Sequence, residues 1–410
     1  MLKTVKYLIV FFAILIIYKP ANSCTTAILS GKYTKDGRPV LWKLRDTDFL
    51  KNKIVYFKDG AFPYIGLVNT EDTKGTQVWA GTNSVGFAIM NAALYDVNLD
   101  NKTNKKDREG FVMKKALQQC KTLADFEKML EKMSKPWGLA SSFGVIDASG
   151  GAAYYEVDNN SFVKFDANDK RFAPHGYIIR TNYSYRGEKD KGYGYIRFQN
   201  AQELFQQADA CGDLNYKRII ADFSRSAYHS LLKKDYRALS MEKSTTSPYF
   251  VNSGDLIVRN SSSAGVVIKG VKPGESPEMT TMWSLLGYPF CTVACPLWVA
   301  GGDNIPEILT GKEDEQAPLC RNALKLKEEC YPIQRGSGNK YLKMSAIYNA
   351  EQTGIAQKLE PVEQKILRET EQKMEKWYKE GIPSEELADY YQWLNNFISM
   401  KYEEMFGLTM

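Results

Sequence analysis

Cys24 stands directly behind a segment that reads as a secretory leader. Lys3 and Lys6 give a charged start, Tyr7–Tyr18 is an apolar run, and Lys19-Pro20 breaks it before Ala21-Asn22-Ser23, a small-x-small cleavage site. A cut after Ser23 would make Cys24 the first residue, with a thiol and a free α-amine on one carbon. Such a residue is a nucleophile that carries its own base, because an α-amine titrates at about 7.7–8.0. The amine then needs an orienting group, and the thiolate needs a cation. Both are offered by Arg45-Asp46-Thr47-Asp48. The turn Lys35-Asp36-Gly37-Arg38-Pro39 would fold two strands into a hairpin and return Arg45 and Asp48 to the first residue. Two other readings of Cys24 stand beside this one. It is a lipidated anchor in a non-catalytic surface or binding protein, or half of a cystine in an ordinary secreted one.

Composition narrows the choice. Hydrophobic residues make up 44% of the chain and charged residues 25%, the balance of a globular protein. The leader carries three lysines and no acid, so its loss takes the net charge from +6 to about +3. That is too little for nucleic-acid binding, and no later stretch is apolar enough to span a bilayer. Export permits disulfides. With seven cysteines, six remain after Cys24, and proximity pairs Cys320 with Cys330, Cys291 with Cys295, and Cys120 with Cys211, unless these are free buried thiols. Two histidines, His175 and His229, are too few for a zinc site, and no metal or cofactor is expected. His175 precedes a strand-like run, His229 lies in a helical pattern, and both read as packed or surface residues. GxSxG, HExxH and P-loop motifs are absent.

Alternation predicts strands over Cys24–Thr34, Val40–Asp48, Lys53–Phe57, Tyr64–Asn69, Thr76–Gly81 and Gly86–Leu94. A polar loop at Asp100–Glu109 leads into helices Phe111–Cys120 and Leu123–Met133, with Thr122 as N-cap. A hairpin over Ser142–Val157 turns at Ser149-Gly150-Gly151, followed by strands Phe162–Phe165 and Tyr177–Asn182. Residues 194–235 are helical in pattern, and strands resume at Tyr249–Arg259, Ala264–Lys269 and Met279–Leu286. Strands, then helices, then strands describe an α+β sandwich of sheet layers with helices outside. From 356 to 410, Glu, Lys, Gln and Leu at helical spacing make an extension packed on the 24–355 domain.

The segment Cys24-Thr25-Thr26, with Gly37-Arg38-Pro39-Val40-Leu41-Trp42-Lys43-Leu44-Arg45-Asp46-Thr47-Asp48, resembles the opening of the N-terminal-nucleophile (Ntn) amide hydrolases. These include isopenicillin-N acyltransferase-like proteins, choloylglycine hydrolases, penicillin V acylases and cysteine dipeptidases. Arg45 and Asp48 match the family's Arg-Asn-x-Asp, with Asp46 in place of Asn. Gly81-Thr82-Asn83-Ser84-Val85-Gly86-Phe87-Ala88 is similar to the Gly-x-Asn-Glu-x-Gly-Leu-Ala turn, whose following strand helps build the oxyanion hole near Asn91. Thr181-Asn182 resembles the segment whose Asn donates to the oxyanion, and Arg259 is the nearest candidate for a late family arginine.

The resemblance implies an Ntn-hydrolase αββα sandwich of two antiparallel sheets, with Cys24, Arg45, Asp48, Asn91, Asn182 and Arg259 at its site. It implies hydrolysis of a linear amide C–N bond in a small molecule through a thioester, with acyl transfer and dipeptide cleavage open on the same scaffold. Relatives often form dimers or tetramers, so a homo-oligomer is compatible with it. The chain is expected in a periplasm or outside the cell, without stable membrane insertion once the leader is gone. Intact mass of the exported protein checks the premise. The expected result is an unmodified chain beginning at Cys24, and added lipid mass would replace the enzyme with an anchor.

Overall fold

A computed structural model describes residues 23–100, 103–312 and 314–410. The proposed leader therefore lies outside the described residues, apart from Ser23. Strand β1 (Ser23–Leu29) pairs antiparallel with β2 (Val40–Asp46), closed by the expected turn. Next come β3 (Asn52–Phe57), β4 (Tyr64–Asn69), β5 (Ala80–Asn83), β6 (Ala88–Ala93), α1 (Glu109–Gln119) and α2 (Leu123–Glu131). The chain continues through β7 (Ser141–Ile146), β8 (Ala152–Val157), β9 (Phe162–Asp166), β10 (Tyr177–Arg180) and α3 (Tyr195–Ala210).

Strands β3 to β9 form one seven-stranded sheet in sequence order. The other sheet has six strands, in the order β10, β1, β2, Ser262–Lys269, Thr281–Leu286 and Cys295–Leu297. Every pairing is antiparallel. The sheets pack face to face through residues such as Ile28, Leu41, Met90 and Tyr154. Helices α1 and α2 cover the seven-stranded sheet, and α3 covers the other through Phe205 on Trp42. The result is the expected four-layer αββα sandwich. The sheets approach so closely at Gly144 that a Cβ there would lie 2.7 Å from Met90 Cε and 3.1 Å from Ile28 Cδ1.

Local chemistry explains most boundaries. Thr122 caps α2 with a reciprocal bond to Asp125, as its position predicted. Residues 194–235 are not continuously helical. Helix Tyr216–Ala221 stops where Ser224 Oγ takes the carbonyl of Ile219 and Arg225 Nη1 takes that of Ile220. His229 accordingly lies in a two-residue strand, and His175 is exposed 3.2 Å from Asp209. The predicted strand Tyr249–Arg259 is cut to Phe250–Asn252 because Asn252 Oδ1 accepts from Gly254 N and starts a turn. None of the expected cystines is formed. All seven cysteines are free thiols, with Cys211 exposed and the others buried.

The C-terminal helices Ile355–Glu380 and Ser384–Phe406 pack on the sandwich. Trp377 meets Trp298 at 5.3 Å, and Tyr391 Oη accepts from Trp298 N at 3.0 Å. The polar anchor is buried. Glu363 accepts from Arg225 Nη1 at 2.8 Å, Arg225 Nη2 at 2.5 Å and Ala294 N at 2.7 Å. Removing one partner leaves the other charge stranded in a low dielectric. Glu363→Ala is therefore expected to cost about 3–5 kcal/mol in chemical denaturation. Restoring most of that loss by adding Arg225→Met would identify the stranded cation as its cause.

Candidate functional site

The antiparallel register places Cys24 opposite Arg45, Thr26 opposite Lys43 and Ser23 opposite Asp46. Because strand side chains alternate, Cys24, Thr26, Lys43 and Arg45 share the face between the sheets. Thr25, Trp42 and Asp46 share the face toward the helices. This follows from contacts on both sides: Thr26 Oγ1 accepts from Tyr154 of β8, and Trp42 Nε1 donates to Ser224 under the helices.

Two cations on the inner face are held by neutral oxygens. Lys43 Nζ donates to Asn91 Oδ1 and to the carbonyl of Trp79, both at 2.7 Å. Burial pushes its pKa down to about 8, and the charge of Cys24 pulls it partly back. Arg45 Nη1 donates to Asn52 Oδ1 at 2.8 Å, and the guanidinium lies 4.9 Å from the Trp79 ring. Burial lowers its pKa to about 10, again opposed by Cys24. Neither cation makes an ion pair among the described residues. Tyr95, just past β6, is raised by burial and next by the charge of Cys24.

The backbone of Cys24 is gripped from the far edge. Its N–H donates to Asn182 Oδ1 at 2.9 Å, and Arg197 Nη1 donates to its carbonyl at 2.8 Å. Arg197 Nη1 also reaches Thr25 Oγ1 at 3.0 Å, and its Nη2 reaches Asn182 Oδ1 at 2.8 Å. Two donors on Oδ1 fix the amide orientation, so Asn182 Nδ2 faces the carbonyl of Ala93 at 2.8 Å. Asn91 Nδ2 donates to Ser141 Oγ at 3.1 Å. Each amide nitrogen carries a second proton beyond these bonds.

Of the residues expected at the site, Cys24, Arg45, Asn91 and Asn182 come together. Asp48 does not: it is exposed beyond the end of β2 and makes no hydrogen bond or ion pair among the described residues. Strand β2 ends at Asp46, so the chain leaves the sheet before Asp48 can return to Cys24. Asn182 Oδ1 occupies the place beside the nitrogen instead. Arg259 binds Asp46 through Nη2 at 2.6 Å and Nε at 3.2 Å, and Ser262 Oγ donates to the same carboxylate at 2.5 Å. The Asp found where the family has Asn is thus committed to Arg259. Lys43 and Arg197 were not anticipated. Lys43 had a signal, since it alternates in phase with Arg45. Among the described residues no group of His, Cys, Asp and Glu could hold a metal ion. No helix among them is long and apolar enough to cross a membrane.

Residues 41–237 match the family described as acyl-coenzyme A:6-aminopenicillanic acid acyl-transferase. Over that span, just under half of the chain, the sequence is similar to acyl-transferases of the Ntn-hydrolase superfamily. The matched span contains Arg45, Asn91, Asn182 and Arg197, while Cys24 and Arg259 flank it. No curated protein matches the sequence. Among solved structures, a Caenorhabditis elegans N-acylethanolamine-hydrolyzing acid amidase ortholog is 14% identical, with 45% of this chain and 79% of that one covered at TM-score 0.37. A mutant conjugated bile acid hydrolase from Clostridium perfringens is 11% identical, with 67% and 92% covered at TM-score 0.39. Penicillin V acylase from Agrobacterium tumefaciens is 12% identical, with 67% and 86% covered at TM-score 0.34.

The lowered pKa of Lys43 gives the fold a pH signature. Unfolded, the ammonium keeps its proton up to about 10.5; folded, it loses it near 8. The unfolded state therefore binds more protons between those values, and stability rises with pH across that window. The stability difference between wild type and Lys43→Met should shift by about 3 kcal/mol in favour of wild type from pH 8 to 10.5. Urea midpoints at several pH values would measure it, and a pH-independent difference would exclude a charge-burial penalty at Lys43.

Proposed function

We propose that the chain is exported, loses its leader between Ser23 and Cys24, and hydrolyses linear amide bonds with Cys24 as nucleophile. The supporting observation is that the Cys24 nitrogen lies 2.9 Å from Asn182 Oδ1 while its side chain shares the inner face with Lys43 and Arg45. A cut at that peptide bond would turn a bound N–H into a held amine, beside a thiol in a cationic setting.

In this reading the thiol gives its proton to the α-amine and the sulfur attacks the amide carbonyl. Lys43 and Arg45 favour the thiolate, with Arg45 also available to an anionic group of the substrate. The second protons of Asn182 Nδ2 and Asn91 Nδ2 are the candidate donors to the oxyanion, an interaction worth about 3–4 kcal/mol per donor. The α-ammonium protonates the departing amine, and water attacks the thioester to free the acid and regenerate the thiol. The uncut chain has an amide at the same nitrogen, without basicity, and is inactive. Asn182 Oδ1 takes the orienting role expected of Asp48. Arg259 acts at a distance by holding Asp46.

The matched family is named for acyl transfer, so transfer to an amine is the second reading of the same thioester. Hydrolysis comes first because it needs only water. A panel of dipeptides, N-acyl amino acids, conjugated bile acids and penicillins, read by released amine with and without an acceptor amine, decides between them. Cys24→Ala should be inactive but folded, and Cys24→Ser should retain a weak remnant. Near-normal turnover by Cys24→Ser would rule the thiol mechanism out.

A further inference from the structure

Arg197 is the third residue of α3, and its guanidinium is buried. It makes no ion pair among the described residues, and its bonds go to Cys24 O, Thr25 Oγ1 and Asn182 Oδ1. Burying an arginine without a carboxylate is costly, so this placement calls for a compensating role. Its approach depends on Gly194, which adopts φ +84°; a Cβ there would lie 2.3 Å from Arg197 Nη2. The oxygen it reaches is the one that accepts the Cys24 N–H at 2.9 Å.

We propose that Arg197 is a positioning residue that holds the freed α-amine of Cys24 in its neutral, proton-accepting form by sharing the Asn182 oxygen with it. The inference rests on Cys24 being the first residue of the mature chain. An ordinary α-amine is largely protonated below about 7.7–8.0 and cannot then take the thiol proton. Here an ammonium would set a second positive charge on an oxygen already serving a guanidinium, and like charge disfavours the charged form. A neutral amine keeps one N–H on Oδ1 and leaves its lone pair for the thiol.

The surrounding charges point the same way. Arg45 and Lys43 of β2 add positive charge, and Tyr95 beyond β6 resists ionisation through burial. The carboxylate across from Ser23, Asp46, is engaged by Arg259 and Ser262. Asp255 and Arg259 act on Arg197 with opposite signs. Among the described residues the α-amine is thus left with an amide oxygen and no free carboxylate to stabilise its cation.

The test titrates the amine without relying on turnover. In mature Cys24→Ser protein, which keeps the α-amine and removes the competing thiol, the rate of N-terminal acetylation is followed against pH by peptide mass. The expected midpoint lies about one pH unit below the ordinary range. Adding Arg197→Gln should raise it by about one unit, while Arg197→Lys, which keeps the charge, should not. A midpoint within or above about 7.7–8.0 in the Cys24→Ser protein overturns the inference, even if Arg197→Gln does not fold. So does an Arg197→Gln protein that folds and titrates unchanged. A low midpoint in a protein whose wild type cleaves no amide would sink the proposed activity alone. An exported chain that starts elsewhere than Cys24 overturns both, and intact mass identifies that case.

Discussion

The antiparallel register of β1 on β2 is the constraint on which the site depends. Cys24 lies opposite Arg45, and a slip of one residue would turn Lys43 and Arg45 toward the helices and bring Asp46 between the sheets. The fold protects that register from both faces. On the inner side, Thr26 Oγ1 donates to the Arg180 carbonyl at 3.0 Å and accepts from Tyr154 at 2.9 Å. On the outer side, Trp42 donates to Ser224 at 2.9 Å and packs on Phe205. A polar tie and an aromatic contact together make a slipped pairing unfavourable on either face.

The second consequence is electrostatic. Lys43, Arg45 and Arg197 are buried around Cys24, and they donate to neutral amide, hydroxyl and carbonyl oxygens. Neutral acceptors stabilise a buried cation without cancelling its field. The positive potential therefore remains available to an anion at the sulfur. Carboxylates in place of Asn91, Asn52 and Asn182 would hold the same cations more tightly and remove that potential. The nearby acid, Asp46, is on the opposite face and neutralised locally by Arg259.

Much of this was legible in the sequence, for identifiable reasons. The β1–β2 hairpin was readable because its turn residues are unambiguous, and it delivered Cys24 and Arg45 together. Asn182 and Asn91 came from the resemblance to Ntn hydrolases, since nothing in their local pattern separates them from ordinary strand-end and strand residues. Asp48 was misplaced because sequence spacing does not reveal where a strand ends, and β2 ends at Asp46. Arg197 was hidden because an arginine in the first turn of a helix reads as a solvated residue. Only the fold shows that Gly194 lets it turn inward. Short polar turns such as Asn252–Gly254 defeated the longer strand predicted there, since a single side-chain bond to the next turn outweighs a weak alternation.

The remaining thiols clarify why Cys24 stands apart. Burial raises the pKa of Cys120 and Cys320 to about 12 and lifts Cys295 further. The sulfurs of Cys291 and Cys330 lie 3.7 Å apart, and burial holds the Cys291 thiol well above its ordinary range. A thiol kept protonated is a poor nucleophile however close its neighbours lie. Cys211 is exposed. Cys24 alone combines partial enclosure, two strand-borne cations and a backbone nitrogen held on a side-chain oxygen. In the proposed mechanism β2 sets two cations beside the sulfur, while Arg197 of α3 and Asn182, just past β10, hold the nitrogen.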